Sequence, residues 1–175
     1  MTVLDQATFN FINGFAGRWR WLDFLGIFFA RYFEYVLLVG LFLLLLRDYK
    51  KYWRMILEAF LAAFVVRLVM VEIIRRIFFR PRPFVFNQVH LLVPYSMQEP
   101  SFPSSHASFY FALSTIIFGY HKKAGILCYL GSFFIVLSRI FVGIHWPSDV
   151  VAGMALGIVM GLVLNIIFKK LSSNG

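Results

Sequence analysis

The chain has 175 residues, of which 61% are hydrophobic and 19% aromatic but only 14% charged, which excludes an ordinary soluble domain and marks an integral membrane protein. A net charge of +9 would suggest nucleic acid in a soluble protein; here the basic residues are better explained by membrane topology and an anionic ligand, so no nucleic-acid partner is expected. The single cysteine, Cys128, excludes an internal disulfide.

Residues 1–20 show no basic start followed by a short apolar core and a small-residue cleavage site, so no cleaved signal peptide is expected. Leu4, Phe11, Ile12 and Phe15 recur at helical spacing against Asp5, Gln6, Asn10 and Asn13. That pattern predicts an amphipathic helix lying on the membrane surface, ended by Gly14 and Gly17. Five spans are then predicted over about 22–46, 52–79, 105–120, 124–143 and 150–168. The expected fold is all-α: a polytopic membrane helix bundle of one domain, without repeats, closing on a frayed Ser-Ser-Asn-Gly tail.

The intramembrane charges Arg31, Glu34, Glu58, Arg67 and Glu72 must be paired or lie beside a polar cavity. Arg31 and Glu34 are three apart and able to pair, and Glu72 is close enough to steady Arg75 or Arg76. Gly153, Gly157 and Gly161 allow close helix approach, for internal packing in preference to dimerisation. All six lysines fall after spans one, three and five, so that side is read as cytoplasmic. The opposite face collects arginines, histidines and an aspartate, and the four tryptophans fall at predicted interfaces.

Three clusters on that face carry chemistry. Arg75-Arg76-Ile-Phe-Phe-Arg80-Pro81-Arg82-Pro83 ends the second span on a stiff turn, and the arginine fork suits bidentate grip of phosphate. Phe102-Pro103-Ser104-Ser105-His106 opens the third span, where serines cap a helix and its free N–H groups form an anion site. Ser138-Arg139-Ile-Phe-Val-Gly-Ile-His145-Trp-Pro-Ser-Asp149 joins spans four and five. A histidine there can attack phosphorus or move a proton, and the aspartate one helical turn on can hold its ring. Together these point to hydrolysis of a phosphate ester or diphosphate through a phosphohistidine. The residues alone leave open which histidine attacks. The loop over residues 84–102, with His90, Tyr95 and Glu99, reads equally as a lid on the headgroup or as a surface loop.

Arg75-x6-Arg82-Pro83, Pro103-Ser104-Ser105-His106 and Ser138-Arg139-x5-His145-x3-Asp149 resemble, in order and spacing, the three motifs of the type 2 phosphatidic acid phosphatase superfamily. Within it, Arg80-Pro-Arg-Pro-Phe-Val, Val89-His90 and Ser101-Phe-Pro-Ser are similar to the small bacterial undecaprenyl diphosphate phosphatases of the bacitracin-resistance type. The resemblance implies His145 as nucleophile, Asp149 as the carboxylate holding its ring, and His106 as general acid and then base. It implies Arg75, Arg82, Ser104, Ser105 and Arg139 as the phosphate-binding groups. Arg75 stands where the family usually has lysine, and Ser105 where glycine or aspartate is commoner. No metal and no other cofactor is implied. The expected partners are the bilayer and a lipid phosphate within it, on the outer side of a cytoplasmic membrane. Undecaprenyl diphosphate is the first choice, with lipid A 1-phosphate and phosphatidylglycerol phosphate as alternatives. Phosphotransfer to a hydroxyl and carriage of an anionic lipid are the rival activities, and the oligomeric state is left open.

Overall fold

The computed structural model describes residues 2–86 and 89–173, with side chains up to Leu171. Among the described residues the regular structure is entirely helical: α1 (Val3–Asn13), α2 (Arg20–Arg31), α3 (Phe33–Arg47), α4 (Tyr49–Val65), α5 (Val71–Ile77), α6 (Ser105–Tyr120), α7 (Lys122–Phe141) and α8 (Pro147–Ser173). Polar caps fix several starts. Thr2, Asp48 and Ser104 accept from the backbone N–H groups of Asp5, Lys51 and Ala107, and the His121 ring accepts from that of Ala124. Of the expected Ser-Ser-Asn-Gly tail, the serines still belong to α8, and Asn174 and Gly175 lie outside the described residues.

Helix α6 is the hub, packed on α4, α7 and α8 and buried along most of its length. The three glycines of α8 face it. A Cβ at Gly153 would lie 2.6 Å from the Ser104 carbonyl oxygen, and one at Gly161 would lie 2.7 Å from Thr115 Cβ. These small residues therefore serve internal packing, and only without side chains can the two backbones approach so closely. Buried hydroxyl pairs add polar ties between α6 and α7: Ser114 with Ser132 at 3.0 Å and Thr115 with Tyr129 at 2.6 Å.

Two expected spans take a different form. The stretch 22–46 is broken at Tyr32 into α2 and α3, which bend by 52°. Glu34, just past the break, reaches α6, where the Tyr110 hydroxyl donates to it at 3.0 Å, and shares a cavity with Arg31. The stretch 52–79 becomes α4, a π-helical turn at Val66–Met70 that carries Arg67, and α5, which stops at Ile77 ahead of Pro81. By length and apolarity two helices, α7 and α8, suffice to cross a membrane, or three spans if the bent pair counts as one. The α6 segment, at 16 residues, is shorter, while α4 runs without interruption through the π-turn and α5 to Ile77.

The expected amphipathic helix is present, with Gln6 and Asn10 exposed but Asp5 and Asn13 turned into the bundle. Val3, Leu4 and Phe11 are exposed at 88%, 77% and 70%, whereas Asp5, Phe9 and Asn13, spaced by four, are buried against the bundle. Phe9 packs on the Trp146 ring at 4.9 Å. The Asn13 amide donates to the carbonyls of Phe141 and His90 and accepts the His90 N–H. Asp5 and Asn13 thus turn inward, where partners are available, while Gln6 and Asn10 stay exposed.

The two ends of the bundle differ in kind. At the lysine-rich end, Arg54 pairs with Glu58 at 2.7 Å and reaches the Phe168 carbonyl of α8, while Tyr120 donates to Glu58 and the Tyr52 and His121 rings meet. The three lysine pairs thus share one end. The arginine and histidine clusters occupy the other.

Candidate active site

The turn between α7 and α8 delivers the central histidine. Val142 and Ile144 donate backward to the carbonyls of Ser138 and Arg139, and Gly143 closes the turn at φ +88°, a region side chains disfavour. His145 follows, 1% exposed. Pro147 and Ser148 begin α8, and the Asp149 carboxylate accepts from the Trp146 N–H at 2.9 Å, half of a capping box. The same capping geometry places Asp149 Oδ2 3.6 Å from His145 Nδ1.

The opposite ring nitrogen, Nε2, lies 3.2 Å from an Nη1 of Arg82. A guanidinium only donates, so Nε2 is the unprotonated nitrogen and Nδ1 carries the proton, facing Asp149 and, at 3.5 Å, the Ser101 hydroxyl. The imidazole therefore presents a lone pair toward the arginine side and its N–H toward a carboxylate. Burial is the main reason that the His145 pKa is pushed down to about 4, with Asp149 offsetting part of the shift and the Arg82 charge adding to it. His145 is thus neutral at physiological pH, the form a nucleophile requires.

This shift has a testable consequence for stability. The unfolded chain takes up a proton on this histidine near pH 6.5, while the folded chain does so only near 4. Stability is therefore highest above 6.5 and declines as the pH falls through that window, by about 3 kcal/mol at most. The midpoint of thermal unfolding in detergent is expected to fall between pH 6.5 and 4, and His145→Asn is expected to flatten that fall. An equal slope in the variant would assign it to other groups.

Arg82 is buried beside His145, 0% exposed. It donates to the carbonyls of Ile144, Glu99 and Pro100 at 2.9, 3.2 and 3.3 Å, stacks 4.0 Å from the Tyr95 ring centre, and lies 3.5 Å from the Glu99 carboxylate. Its burial lowers its pKa. Tyr95, Glu99, Pro100 and Ser101 all belong to the 84–102 loop, so this loop forms a wall of the site; Asn87 and Gln88 within it lie outside the described residues.

The remaining predicted residues gather on the far side of His145. The charges of Arg139, Arg67 and Arg82 all bear on His106 at the start of α6, and His106 Nε2 lies 3.8 Å from Glu34. Arg139 is buried with its Nε unpartnered among the described residues, as is Nδ1 of His106. Arg139 borders a cavity of about 260 Å³ lined also by Arg31, Glu34, Tyr35 and Tyr95. Arg75 is anchored by the Pro103 carbonyl at 3.3 Å and by Glu72 at 3.7 Å, the partner expected for it. Ser104 is fully buried and holds the start of α6: its N–H donates to the Asp149 carbonyl oxygen at 3.0 Å, and its hydroxyl caps Ala107. The N–H groups of Ser105 and His106, first in α6, have no acceptor within the helix.

Several residues of the site were not singled out by sequence. Ser101 donates to Asp149 Oδ2 at a very short separation; the sequence marked it only within the Ser101-Phe-Pro-Ser resemblance, without a role. Arg80, counted in the arginine cluster without a role, donates to Asp149 Oδ1 and Ser148 Oγ, each at 2.6 Å. Asp5 joins the same network through Arg80.

A family model described as PAP2 superfamily matches residues 53–173. The chain is 33% identical over 170 residues to the bacitracin transport permease protein BcrC of Bacillus licheniformis, covering 97% of this chain and 83% of that protein. It is 33% identical over 99 residues to the undecaprenyl-diphosphatase BcrC of Bacillus subtilis (strain 168), covering 57% of this chain and 51% of that protein. The crystal structure of LpxE from Aquifex aeolicus superposes with a TM-score of 0.74 at 28% identity, over 93% of this chain and 95% of that one.

Proposed function

The chain belongs to the PAP2 superfamily and is a multi-pass membrane phosphatase; from that premise we propose that it hydrolyses the terminal phosphate of a lipid diphosphate, with undecaprenyl diphosphate as substrate and undecaprenyl phosphate as product. The observation that carries this reading is the polarised imidazole of His145, with its lone pair toward Arg82 and its N–H toward Asp149.

In this reading Nε2 of His145 attacks the terminal phosphorus in line, and the bond to the bridging oxygen breaks as the bond to nitrogen forms. Asp149 steadies the imidazolium that results. Arg82, Arg139 and Arg75, with the free amides of Ser105 and His106 at the start of α6, hold the phosphoryl oxygens as their charge shifts. His106 protonates the departing oxygen, then takes a proton from the water that cleaves the phosphohistidine. The arginines supply the positive charge that a divalent cation supplies in other phosphatases, which supports a metal-independent reaction. The active site faces the exterior of the cytoplasmic membrane, because the lysine-rich end marks the inner side, and five spans fit that arrangement.

The test is phosphate release by the purified protein in detergent, with chelator present, from undecaprenyl diphosphate, lipid A and phosphatidylglycerol phosphate. Undecaprenyl diphosphate is expected to turn over fastest, and chelator to leave the rate unchanged. A faster rate on either alternative reassigns the substrate, and loss of activity on chelation overturns metal independence. Since one relative is named as a transport permease, lipid binding without release from any substrate would favour a carrier.

A further inference from the structure

Helix α1 places a carboxylate where the sequence pattern assigned a surface residue. Asp5 is 5% exposed, and a buried carboxylate needs partners in proportion to its lost hydration. It has three: the Ser148 N–H at 2.9 Å, the Ser148 hydroxyl at 2.8 Å, and a very short ion pair with Nη2 of Arg80. The other terminal nitrogen of Arg80, Nη1, donates to Asp149 Oδ1 at 2.6 Å. One guanidinium is thus shared between two carboxylates, each on its own nitrogen, above the face of Trp146. The second oxygen of Asp149 faces His145.

We propose that Asp5 is a positioning residue for catalysis, acting through Arg80 to keep the charge of Asp149 available to the His145 ring. The argument is charge arithmetic in a buried site. Arg80 and Asp149 alone would sum to zero, leaving little net field to stabilise the positive charge His145 acquires as Nε2 bonds to phosphorus. Asp5, Arg80 and Asp149 together sum to −1, which restores that field. Asp5 also holds Arg80 by its second terminal nitrogen, which keeps the guanidinium from turning wholly onto Asp149. The stretch matched by the family model begins at residue 53, so this contribution comes from outside it.

The inference rests on the phosphatase reading above, and the experiment separates the two. Phosphate release from undecaprenyl diphosphate is compared for wild type, Asp5→Asn, Asp5→Glu, Arg80→Met and the double variant Asp5→Asn/Arg80→Met, each normalised to monodisperse protein. Asp5→Asn preserves shape and a contact to Ser148 but removes the charge. It is expected to lower kcat about tenfold with KM changed less than about twofold, while Asp5→Glu retains most of kcat. With Arg80 replaced by Met, adding Asp5→Asn is expected to cause no further loss, because the cation it balances is gone. An equal loss in both backgrounds, a change in KM alone, or equal damage from Asn and Glu that follows the loss of thermal stability would each overturn the proposal. An active wild type matched by Asp5→Asn removes this inference alone, whereas a wild type inactive on every lipid removes the phosphatase reading with it.

Discussion

Phosphate release is expected to fall by at least about 10⁴-fold in His145→Asn, with the protein still folded and monodisperse. Asparagine keeps a polar N–H near the position of Nδ1, so Asp149 and Ser101 retain a neighbour, but it removes the nitrogen that faces Arg82 at 3.2 Å. The variant also separates the two histidines. If His145 attacks, brief exposure to substrate labelled in the terminal phosphate leaves an acid-labile, base-stable phosphohistidine in wild type and none in His145→Asn. The complementary variant, His106→Asn, is expected to accumulate the label. The leaving group of a diphosphate is itself a phosphate and departs with modest help, whereas cleavage of the phosphohistidine needs a base for water. Label retained in His145→Asn and lost in His106→Asn would exchange the two roles. The residues alone do not decide that question, although Asp149 stands 3.6 Å from His145 while His106 has Glu34 at 3.8 Å.

The sequence made the spacing-dependent parts of this molecule legible, and the reasons are physical. The expected third span, 105–120, coincides with α6, because Ser104 caps it and Pro103 stops any extension upstream. The three motifs each sit at a helix end, where spacing along the chain translates directly into position in space, and they meet around His145. The amphipathic period of α1 was legible, but the partners of its two inward polar residues were not. Asp5 and Asn13 turn inward to partners as distant along the chain as Ser148 and Phe141, which no local period can reveal. Glu34 shows the same limit: it lies beside a polar cavity with Arg31, as expected, but its bond to Tyr110 on another helix is nothing that spacing reveals. The 84–102 loop carries no period at all. Its walls become visible only once Tyr95, Glu99, Pro100 and Ser101 are seen to surround a guanidinium.

That guanidinium carries the second large effect. Arg82→Lys keeps the charge, yet kcat/KM is expected to fall about 10²- to 10³-fold. An arginine has five donors in a fixed fork, and Arg82 directs them at three backbone carbonyls and at His145 Nε2 while its plane lies against Tyr95. A lysine has three donors on a flexible stem and cannot serve all four acceptors. Each abandoned buried carbonyl costs about 1 to 3 kcal/mol, so the midpoint of thermal unfolding should drop as well. The two losses are separable. Tyr95→Leu removes the stacking surface but leaves every hydrogen bond of Arg82 in place, and should lower stability with a much smaller effect on turnover. If Arg82 holds the transferring phosphoryl group, the lysine variant should also bind vanadate, a mimic of that group in flight, more weakly by a factor close to its loss in kcat/KM. A lysine variant that loses thermal stability yet keeps wild-type kcat/KM and vanadate affinity would reduce Arg82 to a brace for the loop, and the phosphoryl grip would then fall to Arg139 and Arg75.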